Sequence, residues 1–207
     1  ADPAQETMKR AEFEERHEHI YGVMPERIGM LPTAAARARE LGFQPTIVTT
    51  RPHVEASAYA EASAARARAI EMGQGEFRAP CALINGGEMV VTVGKENGIG
   101  GRNQEWALSA ALQIAGSEHI VMGAVDSDGT DGPGSQYVPG ATYPTLAGGL
   151  VDGFTFAEAR ERGVDILDAL RHHHTTPALL MLDSGILAPQ STGLVDLGLI
   201  LVTGRKG

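Results

Sequence analysis

A glycine-rich stretch that leads into a predicted helix is the first part of the sequence with residue types suited to chemistry. Gly98-Ile-Gly-Gly-Arg-Asn-Gln-Glu105 precedes an apolar spacing typical of a helix that Asn103 can cap. Glycines let a backbone approach a ligand closely, and free N–H groups at a helix N-terminus bind anions. Arg102 adds a planar fork of donors that matches a phosphate or a carboxylate. We therefore predict an anion site at Gly100 and Gly101, with a plain surface loop as the alternative.

Three carboxylates follow a predicted buried strand at residues 119–125. Asp126, Asp128 and Asp131 begin a stretch rich in Gly, Pro and Asp, which predicts a long loop over residues 126–149. Sheets of α/β proteins bind ligands where their strands end, and clustered carboxylates suit Mg²⁺ that also contacts substrate phosphates. The spacing does not fit an EF-hand, because the third Asp comes one place late. We favour a metal or substrate site over a solvated turn.

A tight turn at Asn85-Gly-Gly-Glu88 separates two short apolar runs, residues 81–84 and 89–93. Such a turn between two β-rich runs predicts a β-hairpin. The alternative is that Gly87 lets the backbone approach a ligand while Glu88 supplies a carboxylate.

The histidines and the cysteine carry weaker signals. His172, His173 and His174 cannot all face one ion from a helix, because consecutive helical residues diverge, so a polar helix end or loop is predicted. His17 and His19 are predicted at the surface, and Cys81 begins an apolar strand, which indicates an inert core thiol. Whether the tract at residues 172–174 has a function of its own stays open.

The order of the predicted elements is that of an α/β fold. Predicted strands are residues 45–50, 81–84, 89–93, 119–125 and 197–202. Predicted helices are residues 32–40, 54–72, 103–115, 155–162, 165–170 and 176–182, with caps at Thr155, Asp165 and Thr176. We therefore predict a layered α/β/α sandwich with a mixed sheet and an embedded β-hairpin. The predicted organisation is a polar helical arm (1–20), a helix-strand-helix segment (21–79) and an α/β domain (80–207).

Composition excludes several classes of protein. The 207 residues include 17 Lys plus Arg and 26 Asp plus Glu, a net charge of −9, which argues against nucleic acid as a partner. No apolar run approaches the roughly 18 residues that cross a bilayer. A single cysteine cannot form an intrachain disulfide, which indicates a reducing, cytoplasmic compartment. Asn103 replaces the third glycine of a dinucleotide fingerprint, so a nicotinamide oxidoreductase is the least expected enzyme.

Four motifs occur in a fixed order: Gly86-Gly-Glu88, Gly100-Gly-Arg-Asn-Gln-Glu-Trp-Ala-Leu108, Ser127-Asp-Gly-Thr-Asp-Gly-Pro133 and Val151-Asp-Gly153-x-Thr155. Together they resemble the C-terminal region of the glycerate 2-kinase family of the MOFRL type, some of whose members are labelled hydroxypyruvate reductases. The resemblance covers residues 80–202, and residues 19–72 are more loosely similar to the segment that precedes this region in the family.

The resemblance implies a kinase that uses ATP and Mg²⁺ to phosphorylate the 2-hydroxyl of D-glycerate, in a cleft between a Rossmann-like domain and this region. Arg102 matches the active-site arginine of the family, and Asp128 and Asp131 match its Asp-Gly-x-Asp-Gly loop, so these three are predicted to be catalytic. The predicted substrate contacts are Gly87, Glu88, Gly100, Gly101 and Asn103. The predicted metal ligands are Asp126 and Asp128.

The sequence also departs from the family pattern. It lacks the first half of the family, with its glycine-serine loop and catalytic lysine. Residues 173–176 (His-His-Thr-Thr) stand in place of Asn-Asp-Ser-Tyr, and Leu194 replaces an asparagine. The leading hypothesis is therefore part of a glycerate 2-kinase-like enzyme acting on a small hydroxy acid, completed by a missing segment or a second polypeptide. The alternatives are a non-catalytic small-molecule-binding subunit, and a different reaction on a related hydroxy acid with histidine as acid or base.

Overall fold

The computed structural model describes residues 7–16, 29–50, 52–95, 98–133, 139–140, 142–190, 193 and 195–204. The helices are α1 (Arg10–Glu14), α2 (Met30–Glu40), α3 (Ala56–Glu71), α4 (Arg102–Gln113), α5 (Thr155–Arg162), α6 (Ile166–Arg171) and α7 (Thr175–Met181). The strands are β1 (Gln44–Thr49), β2 (Cys81–Gly86), β3 (Ile120–Asp126), β4 (Gly148–Asp152), β5 (Gly185–Ile186) and β6 (Asp196–Val202). The predicted positions of His17 and His19, and parts of the predicted arm and long loop, lie outside the described residues.

The strands form one mixed sheet in the order β1-β2-β6-β3-β4-β5. β1 and β2 are parallel, and every other neighbouring pair is antiparallel. β6, the last strand in the chain, lies between β2 and β3, with Ile200 opposite both Leu83 and Met122. The predicted α/β class with a mixed sheet and flanking helices is confirmed.

The predicted β-hairpin between residues 81–84 and 89–93 is wrong. β2 already has β1 on one edge and β6 on the other, so no edge remains for the segment that follows the turn. That segment instead pairs with the start of α3: the Val90 N–H donates to the Val54 carbonyl at 3.0 Å, and the Ala56 N–H donates to the Val90 carbonyl at 2.9 Å. β4 and β5, which no prediction included, supply the remaining strands.

Helix caps follow the predictions only in part. Asp165 caps α6, because its side chain accepts from the Asp168 N–H at 3.0 Å. Thr155 does not cap α5; the carboxylate of Asp152 accepts from the Thr155 N–H at 3.1 Å instead. Thr176 and Asn103 lie inside α7 and α4, which begin one residue earlier than predicted. A side chain from elsewhere in the chain caps α4, as described below.

Helices cover the sheet on both faces. On one face, α2 packs against β2 through Leu31, Ala35 and Ile84. On the other, α3 and α4 pack against each other and against the central strands. α4 is buried from Asn103 to Ala111, including three polar residues of its first turn. Within the described ranges, no helix has the length and apolar character needed to span a bilayer.

The contact between α3 and α4 depends on small side chains. The fully buried alanines of the two helices are Ala60, Ala64 and Ala67 in α3 and Ala107, Ala110 and Ala111 in α4. Short side chains allow two helices to approach closely, and a larger one must displace the neighbouring helix. The rigid placement of α4 therefore depends on these alanines.

We expect Ala64→Leu to lower the free energy of unfolding by about 2 kcal/mol, because a leucine overpacks a full core. Ala65→Leu, the same change at the exposed neighbouring position, should alter it by less than about 0.5 kcal/mol. Urea unfolding of both variants measures the difference. Equal stabilities would contradict the tight α3–α4 contact.

Candidate functional site

The polar residues of the site meet at one edge of the sheet. β3 ends at Asp126, and its partner in the register is Asp196, the first residue of β6. β2 ends at the same edge, because Gly86 pairs with Leu197. Arg102, the first residue of α4, lies above this edge. The C-terminal ends of two strands and the start of a third thus bring acidic side chains around one arginine.

Arg102 is held by carboxylates on three sides. Its Nε donates to Asp196 Oδ2 at 2.5 Å, and its Nη2 donates to Asp196 Oδ1 at 2.9 Å. Nη2 also donates to Asp126 Oδ2 at 3.0 Å and lies 3.6 Å from Glu88 Oε1. No described residue accepts a hydrogen bond from Nη1, so one edge of the guanidinium is left for a ligand.

The cluster formed by Arg102 and its three carboxylate neighbours carries a net negative charge. The hydrogen bond to Asp196 is the main reason that the pKa of Arg102 is raised, so the guanidinium stays charged. Burial raises the pKa of Asp126 to about 6, and the nearby Asp196 and Asp128 carboxylates add to the rise. The charge of Arg102 only partly offsets this effect. A cation or a proton would therefore be stabilised beside Asp126.

A pocket of about 250 Å³ lies between the glycine loop and the segment after β2. Its lining residues are Met89, Val91, Val93, Gly98, Gly100, Gly101, Arg102, Glu105, Gly132, Pro133 and His173. The predicted residues Gly100, Gly101 and Arg102 therefore share one pocket. Gly87 and the exposed Glu88 lie outside its lining, although Glu88 reaches Arg102.

Asp131 caps α4 from within the protein. It is 1% exposed, and its carboxylate accepts from the N–H groups of Asn103 (3.1 Å) and Gln104 (2.9 Å). Burial raises the pKa of Asp131 to about 6, and these hydrogen bonds oppose the rise. The prediction of free N–H groups at this helix end is therefore wrong: two of them already bind an anion, and that anion belongs to the chain itself.

The buried polar residues of α4 form a network around Asp131. Asn103 Nδ2 donates to the Asp131 carboxylate, and Gln104 Nε2 donates to the Asp131 carbonyl, both at 3.1 Å. Thr176 Oγ1 donates to Gln104 Oε1 at 2.6 Å, which joins α7 to the network. Asn103 is fully buried and is not among the residues that line the pocket. It positions Asp131 instead.

Two glycines allow this close packing. A Cβ atom on Gly101 would overlap the Asp131 carboxylate. Gly132 has φ +79°, and a Cβ there would overlap the Gly100 carbonyl oxygen. Any side chain at either position would push the glycine loop away from the β3–β4 loop.

The histidine tract forms the bend between α6 and α7, as the prediction of a helix end or loop allowed. It also supports the glycine loop: the Gly98 N–H donates to the His172 carbonyl at 2.6 Å, and the Ile99 N–H donates to His174 Nδ1 at 3.1 Å. His173 Nδ1 lies 2.8 Å from Glu105 Oε2. The tract thus has a positional role that its sequence did not reveal.

Asp128 lies in the loop just beyond β3. Its Oδ1 accepts from the Thr130 N–H at 2.7 Å, and no described residue donates to its Oδ2. The Asp128 N–H donates to Asp126 Oδ1 at 3.1 Å, so the two predicted metal ligands are adjacent. Within the described part of the chain, no three His, Cys, Asp or Glu side chains are grouped to hold a metal by themselves.

Sequence reasoning missed Asp196, Glu105 and His173. Asp196 immediately precedes the last apolar strand, whereas Asp126 follows its strand, so their places in the sequence do not indicate that they meet. Glu105 closes the glycine-rich motif, but only the fold shows that its side chain meets the α6–α7 bend. No local signal distinguished His173 from its two neighbours.

Comparisons with known proteins extend these observations. The family model described as MOFRL matches residues 81–194. D-glycerate 2-kinase from Thermotoga maritima is 37% identical over 205 residues, which cover 95% of this chain and 46% of that relative. Glycerate 2-kinase from Pyrococcus horikoshii is 35% identical over 175 residues, covering 84% of this chain and 37% of that relative. The crystal structure of a glycerate kinase from Thermotoga maritima superimposes with a TM-score of 0.76 and 34% identity, covering 84% of this chain and 39% of its own.

The chain spans less than half the length of these relatives. Each relative carries the unmatched remainder in the same polypeptide, so they give no support to the predicted separate second chain. Their names concern the longer proteins.

We expect Asp131→Ala to lower the free energy of unfolding by about 3 kcal/mol or more, because it leaves buried N–H donors at the start of α4 without an acceptor. Asp165→Ala removes a cap from an exposed helix end and should cost about 1 kcal/mol. Chemical denaturation of both variants gives the comparison. A smaller loss for Asp131→Ala than for Asp165→Ala would show that the buried network is not a stabilising one.

Proposed function

Because the chain belongs to the MOFRL family, we propose that it forms part of a glycerate 2-kinase-like enzyme that phosphorylates the hydroxyl of a small 2-hydroxy acid such as D-glycerate. The names of the relatives and the shared fold support this function. The observation that carries the proposal is the position of Arg102, which lines a pocket beside a glycine loop and whose Nη1 donates to none of the described residues.

Arg102 is suited to bind a phosphoryl group or the substrate carboxylate. Its bidentate bond to Asp196 fixes the plane of the guanidinium before a ligand arrives. Phosphoryl transfer depends on positioning and charge stabilisation more than on covalent chemistry, so a preorganised cation at the transferring group is a useful catalytic part. Glu88 and Asp126 limit how far this cation can turn.

The predicted cofactors are ATP and Mg²⁺. The acidic residues fit Mg²⁺ as a site completed by phosphates: Asp128 Oδ2 is unused by described residues, and Asp126 lies in an excess of negative charge. Asp126 and Asp128 would hold the ion. A bound Mg²⁺ would neutralise charge on the phosphates of the nucleotide.

Asp131 acts as a positioning residue in this proposal, although the sequence predicted it to be catalytic. It is fully buried and bonded to α4, so it fixes Arg102 and the glycine loop but does not reach the pocket. Asp128, which is partly exposed, is the better candidate for contact with a ligand.

The described residues supply only part of a kinase site. None of those that line the pocket is a lysine. The resemblance implies that a lysine and a second wall of the cleft come from the first half of the family. We propose that a region equivalent to the unmatched half of the relatives supplies them, whatever its covalent connection to this chain.

A non-catalytic binding subunit is the second candidate. The internal cap by Asp131 favours it, because the helix end that could have bound a phosphate is already occupied. This candidate predicts ligand binding without turnover even when every other part of the enzyme is present. The kinase hypothesis predicts both ligand binding and turnover.

We expect Arg102→Lys to reduce ATP-dependent phosphorylation of D-glycerate by about 100-fold or more, because lysine keeps the charge but cannot bind two carboxylates and a ligand at once. Arg162→Lys changes an exposed arginine that pairs with Asp183 and should leave the rate unaltered. The lysine variant is preferable to Arg102→Ala, which would leave Asp196 buried without its partner and destabilise the fold. Wild-type rates for Arg102→Lys would refute the assigned role.

A separate experiment tests whether Asp128 is a metal ligand. Manganese binding, followed by electron paramagnetic resonance in the presence of ADP, should weaken at least tenfold in Asp128→Asn, since the variant removes an oxygen ligand and a charge. Asp168→Asn, at an exposed position on α6, is the matched control. Equal manganese affinity in both variants would exclude Asp128 as a ligand.

A further inference from the structure

The pocket holds a histidine–carboxylate pair that the proposed phosphoryl transfer does not yet use. His173 and Glu105 both line it together with Arg102, and His173 Nδ1 lies 2.8 Å from Glu105 Oε2. We propose that His173 is a catalytic residue that accepts the proton of the substrate hydroxyl, with Glu105 as its positioning residue. This inference rests on the proposed function.

The backbone fixes the place of His173. Its φ is +51°, in the left-handed region that residues other than glycine seldom adopt. Two hydrogen bonds of the bend hold it there: the His173 N–H donates to the Leu170 carbonyl at 3.2 Å, and the His174 N–H donates to the Ala169 carbonyl at 2.7 Å. Such conformations persist where the surrounding structure imposes them, and they concentrate at functional sites.

Glu105 sets the orientation of the imidazole ring. An ionised carboxylate only accepts hydrogen bonds, so Nδ1 must carry the proton and Nε2 keeps its lone pair. Glu105 belongs to the first turn of α4, and its side chain is 7% exposed. Burial raises the pKa of Glu105, and the contact with His173 opposes that rise. A base whose ring is oriented by a third group is a recurring arrangement at catalytic sites.

The other two histidines of the bend have different partners. His174 Nδ1 accepts from the Ile99 N–H, so this ring supports the glycine loop. His172 Nδ1 lies 3.2 Å from Asp168 Oδ1, on the exposed side of α6. Of the three, only His173 lines the pocket.

Charged groups of both signs lie near His173. Arg102 lines the same pocket. Glu105 is the carboxylate in contact with the ring, and Glu55 acts on Glu105 from the start of α3. Glu55 is itself engaged with Thr92, since its Oε2 accepts from the Thr92 N–H at 3.2 Å.

The proposed step couples phosphoryl transfer to the transfer of one proton to His173. The hydroxyl oxygen of the substrate forms a bond to the γ-phosphorus of ATP while the bond from that phosphorus to the β–γ bridging oxygen breaks. ADP leaves with that oxygen, and the hydroxyl proton moves to His173 Nε2. The imidazolium then releases the proton to solvent, so one proton is produced for each phosphoryl group transferred.

Two variants of the full protein test this role. His173→Asn keeps a residue type that tolerates the left-handed backbone but cannot accept a proton. We expect kcat to fall by about 100-fold or more with a smaller change in KM, and the acidic limb of the pH–rate profile to disappear. His119→Gln, far along the sheet beside Thr203, should behave as wild type. A His173→Asn enzyme with the wild-type kcat and pH profile would overturn the proposal.

Nitrogen NMR of the histidine rings gives a second measurement that does not depend on turnover. In the wild-type chain the His173 ring should carry its proton on Nδ1, and Glu105→Gln should alter this signal. Adding D-glycerate should shift the Nε2 resonance of His173 and leave that of His119 in place. A proton on Nε2, or no shift with D-glycerate, would reject His173 as the base. If the wild-type protein phosphorylates no hydroxy acid, the proposed function fails, and this shift alone decides whether His173 binds the substrate hydroxyl.

Discussion

The carboxylate of Asp131, buried at the start of α4, is the interaction on which the site depends. A charged group removed from water must find its hydrogen bonds within the protein, and the N–H groups at a helix start are suitable partners. Asp131 takes two of them and also binds the side chain of Asn103. The loop between β3 and β4 is thereby fixed against the glycine loop, and Gly101 and Gly132 permit the contact because neither carries a side chain.

The position of Arg102 follows from this cap. With the first turn of α4 held by Asp131, its first residue lies directly over the edge where β3 ends and β6 begins. There Arg102 meets Asp196 and Asp126, whose charges exceed its own. One side of the guanidinium serves the fold because it neutralises the buried Asp196. The same side chain also lines the pocket, so Arg102 belongs both to the buried ion pair and to the candidate site.

Local signals in the sequence were sufficient for most elements and for the main cation of the site. The strands around residues 45–50, 119–125 and 197–202 were predicted to within a residue or two, and Asp165 was correctly identified as a cap. The errors have a common physical cause, which is that partners distant in sequence outcompete neighbours. β6 takes the edge of β2 that a hairpin would have needed, and Asp131 takes the capping role expected of Asn103. Asp196 was missed for the same reason, since only the sheet register brings it beside Asp126.

The internal cap also limits how an anionic ligand can bind. A helix end that already holds a carboxylate offers little to a phosphate, so Arg102 supplies the positive charge that lines the pocket. The groups left to assist chemistry are then those of the α6–α7 bend, where the fold has placed His173 against Glu105. The bend supports the glycine loop through His172 and His174, so the same short segment both shapes the pocket and supplies its base. A substitution in this segment would therefore change both the shape of the pocket and the proposed proton transfer. Kinetics alone cannot distinguish these two effects, whereas the protonation of the His173 ring reports only the second.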